Sequence, residues 1–203
     1  IKQEESEVRK NFGAKPYTYP QPVFILAAYS KDRTPCAMNA AWGGISNDTQ
    51  ITMCLSAGHK TVKNILKRGA FTVSMADEAH VAACDYVGIV SAYVGIVSGN
   101  TVPDKFERAG FHALPSPFVD APVIEELPIS VECRLISYDP SSCRLVGEIV
   151  NVSVDERVLD ENGRVDVQRL RPLTFDPFNN QYVALGEIVG KAFSDGKKRN
   201  GDL

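Results

Sequence analysis

Residues 36–69 read CAMNAAWGGI, then SNDTQ, ITMCLS, AGHKT and VKNILKRG. The residue types spell strand, turn, strand, loop, helix. The first strand is small and flat, with Ala37, Asn39, Ala40, Ala41, Gly43 and Gly44 around a single Trp42. Small side chains leave backbone N–H and C=O groups open to something lying directly against them. In ITMCLS, Ile51, Met53 and Leu55 alternate with Thr52, Cys54 and Ser56, a period of two that turns one face to a core. A helix then starts at or near Thr61 and runs to about Lys67. Val62, Ile65 and Leu66 form its apolar stripe, and Gly69 is its stop. Its N-terminus is flanked by Ser56, His59, Lys60 and Thr61. Free backbone N–H groups and the helix dipole both favour an anion there. A flat platform beside such an end suggests a flat, phosphorylated ligand; ordinary helix capping is the plainer alternative.

Outward from that stretch, VFILAAYS (23–30) and AFTVSMA (70–76) read as strands, and DEAHVAAC (77–84) as a short helix. Residues 86–92 (YVGIVSA) and 93–99 (YVGIVSG) are a near-perfect tandem copy. Within a strand, a shift of seven would turn the second copy to the opposite face. One copy is therefore expected in the core and the other in a bulge or loop. PDKFERAG (103–110) is a short helix with Pro at its start and Gly after its end. FHALPSPFVDAP reads as irregular. ISVECRLISYD (129–139) and CRLVGEIVNVSVDE (143–156) form a hairpin. VLDENGRVDVQRL holds a turn at Asn162-Gly163 and a helical turn, and RPLTFDPFNN is a loop. QYVALGEIVGKAF (181–193) is the last strand. Residues 1–15 are expected as a charged N-terminal arm or short helix, and 195–203 as a flexible tail. Six or more strands with few full-length helices exclude a doubly wound parallel sheet. They fit a mainly β, antiparallel barrel with short peripheral helices, one domain over 1–203.

The bulk properties narrow the function. A hydrophobic content of 44% supports a full core, and a net charge of -3 gives no reason to expect nucleic acid or an anionic membrane surface as partner. No apolar run is long enough to span a bilayer, and no secretory signal is visible. The five cysteines are odd in number, lack C-x-x-C spacing and sit largely in apolar runs. That pattern points to reduced, buried thiols and a cytoplasmic location. The phosphate-loop, dinucleotide, nucleophile-elbow and zinc-protease motifs are absent. His59, His80 and His112 have no metal-ligand spacing, so no metal is expected. Glu125, Glu126 and Glu132 could act as acid or base but read more simply as surface charge. A chain with no catalytic constellation of its own can take its chemistry from a cofactor.

Several stretches resemble one family: NAAWGGI (39–45), HKTVKNI (59–65), DYVGIVS with DKFERAG behind it, APVIEELPISVEC and LGEIVGKAF (185–193). In this order and spacing they look like the flavoredoxin branch of the flavin reductase-like proteins, over about residues 19–197. The resemblance implies an FMN-binding split barrel working as a homodimer, with FMN at the subunit interface. It places Met38, Asn39, Ala40, Ala41 and Trp42 against the isoalloxazine ring. It places Ser56, His59, Lys60 and Thr61 around the phosphate. Ser98, in the SGN loop, joins the cofactor site, and Lys105 reaches the ribityl chain or the ring edge. Part of the partner's C-terminal strand would close the site. Trp42 as plain core and Lys105 as an ordinary exposed lysine stand beside these readings. The implied activity is an NAD(P)H-dependent flavin reductase, with no catalytic side chain required. The alternatives are an FMN electron carrier serving a redox protein partner, and a module that stores or senses flavin.

Overall fold

The computed structural model describes residues 9–90 and 105–199. A seven-stranded antiparallel sheet dominates it, in the order β3-β2-β6-β9-β10-β5-β4. These strands are β2 (Phe24–Tyr29), β3 (Pro35–Ala40), β4 (Gly43–Asn47), β5 (Gln50–Cys54), β6 (Ala70–Met75), β9 (Ile129–Asp139) and β10 (Arg144–Val154). β3 and β4 lie at opposite edges, yet only Ala41 and Trp42 separate them in the chain. Six strand spacings laid flat would span about 29 Å. The three steps from Ala40 to Gly43 reach about 11 Å at most. The sheet must therefore curl until its edges approach, and a hydrogen bond from Cys54 N–H to Trp42 O (2.9 Å) ties the link to β5. The result is the antiparallel barrel that the strand pattern suggested, in the split form that the resemblance implied.

The same closure corrects the reading of 36–45 as one platform strand. β3 pairs with β2, whereas β4 turns back on β5. Gly43 has no substitute at this corner. A Cβ there would stand 2.5 Å from Met53 Cγ and 2.7 Å from the Thr52 carbonyl oxygen.

Inside the curl, Leu26, Met38, Ala40, Ile51, Met53, Phe71, Val73 and Leu145 pack together. Helix α1 (Lys60–Arg68) adds Val62 and Ile65, both fully buried. Leu66 departs from the expected stripe and is exposed. Thr61 and Asn64 are buried instead, because the helix face at 61, 62, 64 and 65 meets the sheet. A second cluster covers the other side of β2 and β3. It joins Ile25, Ala27 and Ala37 to Cys84 and Val87 of helix α2 (Val81–Ile89) and to Phe106, Phe111 and Ile124.

Other elements differ from the sequence reading. Helix α2 runs past Cys84 into the first YVGIVSA copy, so the period-two argument for that copy does not apply; the second copy lies outside the described residues. The segment expected to be irregular forms a hairpin of β7 (Ala113–Pro115) and β8 (Pro122–Ile124). Behind it Glu132 is only 1% exposed, not surface charge. Its carboxylate accepts from Ser116 Oγ and from Asn151 Nδ2 (2.7 Å). RPLTFDPFNN is not all loop. Leu173–Asp176 forms β11, paired with β1 (Gln21–Pro22) and with β12 (Gln181–Ala184). The last strand ends at Ala184, and residues 185–191 carry no regular structure. Asp195–Arg199 form a 3-10 turn. Residues 9–15 form no helix. Tyr19 stacks on Phe178 and Tyr17 packs tilted against it, with ring centroids at 5.2 and 4.4 Å.

Candidate functional site

Over β3, a cavity of about 230 Å³ opens between the start of α1 and the end of α2. Met38 and Asn39 come from β3, and Gly58, His59, Lys60 and Thr61 from the loop and first turn of α1. Val87, Gly88, Ile89 and Val90 form the opposite wall, with Lys105 beside them.

The α1 end of this cavity presents unpaired N–H groups and the positive end of a helix dipole. The Lys63 N–H reaches the His59 carbonyl (3.1 Å), the first bond of the helix. The N–H groups of Lys60, Thr61 and Val62 thus have no carbonyl partner within it. His59 makes no side-chain capping bond, and the first turn carries no acidic residue. Nothing on α1 itself offsets the positive end of the dipole.

The α2 end would repel an anion, because helix C-termini present free carbonyls. Lys105 answers this. Its Nζ donates to the carbonyl oxygens of Val87 (2.8 Å) and Val90 (3.1 Å). Burial holds its pKa below the usual lysine value; Cys36 opposes that shift, and nearby Lys60 adds to it. Both ends of the cavity therefore carry positive charge.

Asn39 sits beneath α2, where a Cβ on Gly88 would lie 2.9 Å from the Asn39 Cβ. Its Nδ2 donates to Cys84 O (3.2 Å) and to Tyr182 Oη (3.4 Å). Tyr182 Oη in turn donates to Asp85 Oδ1 (2.7 Å). Burial first, then this bond to Asp85, raises the Tyr182 pKa well above its ordinary value.

The family described as flavin reductase like domain matches residues 17–184. The chain belongs to that family. It is similar to the flavoredoxin of Desulfovibrio vulgaris (Miyazaki F), at 37% identity and TM-score 0.85, covering 93% of this chain and 100% of that one. It is also similar to flavoredoxin from Methanosarcina acetivorans, at 25% identity and TM-score 0.79, covering 94% and 98%. An FMN-binding domain of a flavin reductases-like enzyme from Shewanella baltica OS155 shares the fold at 20% identity, with TM-score 0.70 over 84% and 89% of the two chains.

Of the residues singled out in the sequence, the structure brings Met38, Asn39, His59, Lys60, Thr61 and Lys105 to this one cavity. Thr61 is 2% exposed and its hydroxyl meets Cys36 Sγ (3.3 Å), which leaves its backbone N–H as the group for a ligand. Ala40 is buried in the barrel, while Ala41 and Trp42 form the link between β3 and β4. Ser56 shapes the loop: its Oγ accepts from Gly58 N–H (3.2 Å) and its carbonyl from His59 N–H (3.2 Å). None of these four lines the cavity. Ser98 lies outside the described residues. Sequence reasoning missed Gly58, the end of α2, and the Asp85–Tyr182 pair behind Asn39. The small residues Gly58 and Gly88 were the only signal, and each looks like many others. Among the described residues, His112, Glu125 and Glu126 bring ligand-type atoms within 4.8 Å of one another, away from this cavity.

Proposed function

We propose that the cavity holds the phosphate end of FMN and that the protein is an NAD(P)H-dependent, flavin reductase-like oxidoreductase. The observation that carries this is the pairing of an uncapped α1 N-terminus with an α2 C-terminus neutralised by Lys105. The donor set fits a phosphate: backbone N–H groups at 60–62, Lys60 and His59. Membership of the flavin reductase like family supports FMN as the phosphorylated ligand.

When bound, FMN supplies the redox chemistry, accepting a hydride from a nicotinamide and passing electrons on. The chain supplies placement. The first turn of α1 anchors the phosphate, and Lys105 keeps the opposite wall from repelling it. Asn39 offers a fixed polar group on the floor. No residue is asked to move a proton.

We further propose a homodimer. The cavity is smaller than the roughly 300–1,000 Å³ usual for sites of drug-sized ligands, so the ring would lie at its mouth. The segment beyond β12 exposes Ile188 (74%), Val189 (97%) and Phe193 (99%), apolar side chains that a second copy would cover. Light scattering that finds a monomer still holding FMN tightly would reject this assembly.

A second reading is an electron carrier serving a redox protein partner, favoured by the 37% identity to a flavoredoxin. A visible spectrum of the purified protein, with NADH or NADPH then added anaerobically, separates the two. Rapid bleaching supports the reductase, and bleaching only by dithionite or a protein donor supports the carrier. Absence of flavin after soaking with FMN would sink both.

A further inference from the structure

The chain from Asp85 to Asn39 is ordered by chemistry as well as distance. An ionised carboxylate only accepts, so the Tyr182 hydroxyl must give its one proton to Asp85. The Tyr182 oxygen can then only accept from Asn39, and so can the Cys84 carbonyl. Two acceptors claim the two hydrogens of the Asn39 amide nitrogen. The amide cannot turn over without placing its oxygen against both. Asn39 Oδ1 meets no donor among the described residues, while Asn39 lines the cavity.

We infer that Asn39 Oδ1 is a fixed acceptor for a hydroxyl of the ligand's polyol chain, and that Tyr182 and Asp85 are positioning residues for it. This rests on the FMN reading above. The choice of a hydroxyl follows from size. Asn39 shares a cavity of about 230 Å³ with the α1 N-terminus, so a ligand whose phosphate sits on α1 brings its ribityl chain, not its distant ring edge, to Asn39. Ribityl hydroxyls are donors that a fixed acceptor selects. A ligand carbonyl at the same place would be repelled. The assignment also makes Gly88 part of the selection, because its missing side chain lets Asn39 lie close under α2.

The test is an equilibrium fluorescence titration of the full chain with two probes. One is FMN; the other is the same ring carrying a 5-phosphopentyl chain, with phosphate but no hydroxyls. The wild-type protein is expected to bind FMN about tenfold more tightly than the analogue, the scale of one well-placed hydrogen bond to a partly buried group. In Asn39→Ala that preference falls about tenfold. In Tyr182→Phe it falls about threefold, since the amide loses one of its two restraints. A merely structural role for either residue would weaken both probes equally and leave the preference intact, and that result overturns the inference. Tyr182→Phe keeps the test open should Asn39→Ala fold poorly. If the wild-type chain binds neither probe, the FMN reading itself falls. If it binds FMN but the preference survives both substitutions, only the role of Asn39 falls.

Discussion

Lys105 Nζ stands 2.8 Å from the carbonyl oxygen of Val87, so a side chain from outside α2 closes the C-terminal end of that helix. The pairing makes an anion tolerable between two helix ends of opposite sign. Lys105→Met should therefore lower FMN affinity by about tenfold, while riboflavin, which lacks the phosphate, loses less. The arithmetic is that of one partly buried charge at a helix terminus, ~1–2 kcal/mol. Equal losses for both ligands in a fluorescence titration would remove Lys105 from the electrostatics of the site.

Charge on Lys105 also gives two pH trends of opposite sign. Its folded pKa is lowered, chiefly by burial. Between that pKa and the ordinary lysine value the unfolded chain binds more protons, so this group alone makes stability rise with pH across that window. FMN affinity should fall over the same alkaline window as the ammonium is lost. Paired denaturation and binding measurements in Lys105→Met should show both trends flattened.

Gly88→Ala places a methyl group 2.9 Å from the Asn39 Cβ. Helix α2 must move away from β3 or Asn39 must leave its place. Overpacking of this kind costs about 1–3 kcal/mol, read as a lower urea midpoint. FMN affinity should drop with it, because the cavity wall and floor separate. An unchanged midpoint would show that α2 shifts freely.

Glu132→Ala removes a carboxylate only 1% exposed that accepts from the partly buried Ser116 and Asn151. A loss of ~2 kcal/mol in urea unfolding is expected from two partly buried donors left without partners. Glu132→Gln should cost less, since one carbonyl oxygen remains to accept. Flavin binding by the folded fraction should be untouched, as Glu132 lies behind the β7–β8 hairpin.

His112 pairs its Nδ1 with Glu126 Oε1 at 2.5 Å and donates its backbone N–H to the same carboxylate. The side-chain bond to Glu126 is the main cause that raises the His112 pKa. A raised folded pKa gives a contribution to stability that is complete below the unfolded value and lost as pH climbs through the folded one. An imidazole titration by NMR should place His112 above the ordinary ~6.5, and Glu126→Gln should bring it back toward that value. No change on substitution would mean that the neighbouring Glu125 and Glu107 set the shift instead.

Much of the fold was legible because it depends on local patterns. The alternation through Ile51, Met53 and Leu55 turns those side chains inward whatever the rest of the chain does, and all three are buried. Gly69 ends α1 in the left-handed conformation that the sequence marks. The free N–H groups at the start of α1 were likewise readable, since they follow from where a helix begins. The strand pattern supplied the antiparallel barrel, and the family motifs in their fixed order its split form.

The tertiary structure alone decided how that barrel closes and what stands opposite α1. Nothing local tells NAAWGGI to break at Ala41 and Trp42; the break arises because two sheet edges must meet across a two-residue link. Leu66 lost its expected place to Asn64 for a similar reason, as the sheet's position fixes which helix face is covered. Residues 86–89 of the first copy became helix because α2 packs on β3 through Gly88 and Val87, a contact between segments about fifty residues apart. Tyr182 reaches Asn39 across 143 positions of sequence. Periodicity reports a residue's neighbours along its own element. The cavity is made where separate elements meet, and its polarity is set by groups that only folding brings together.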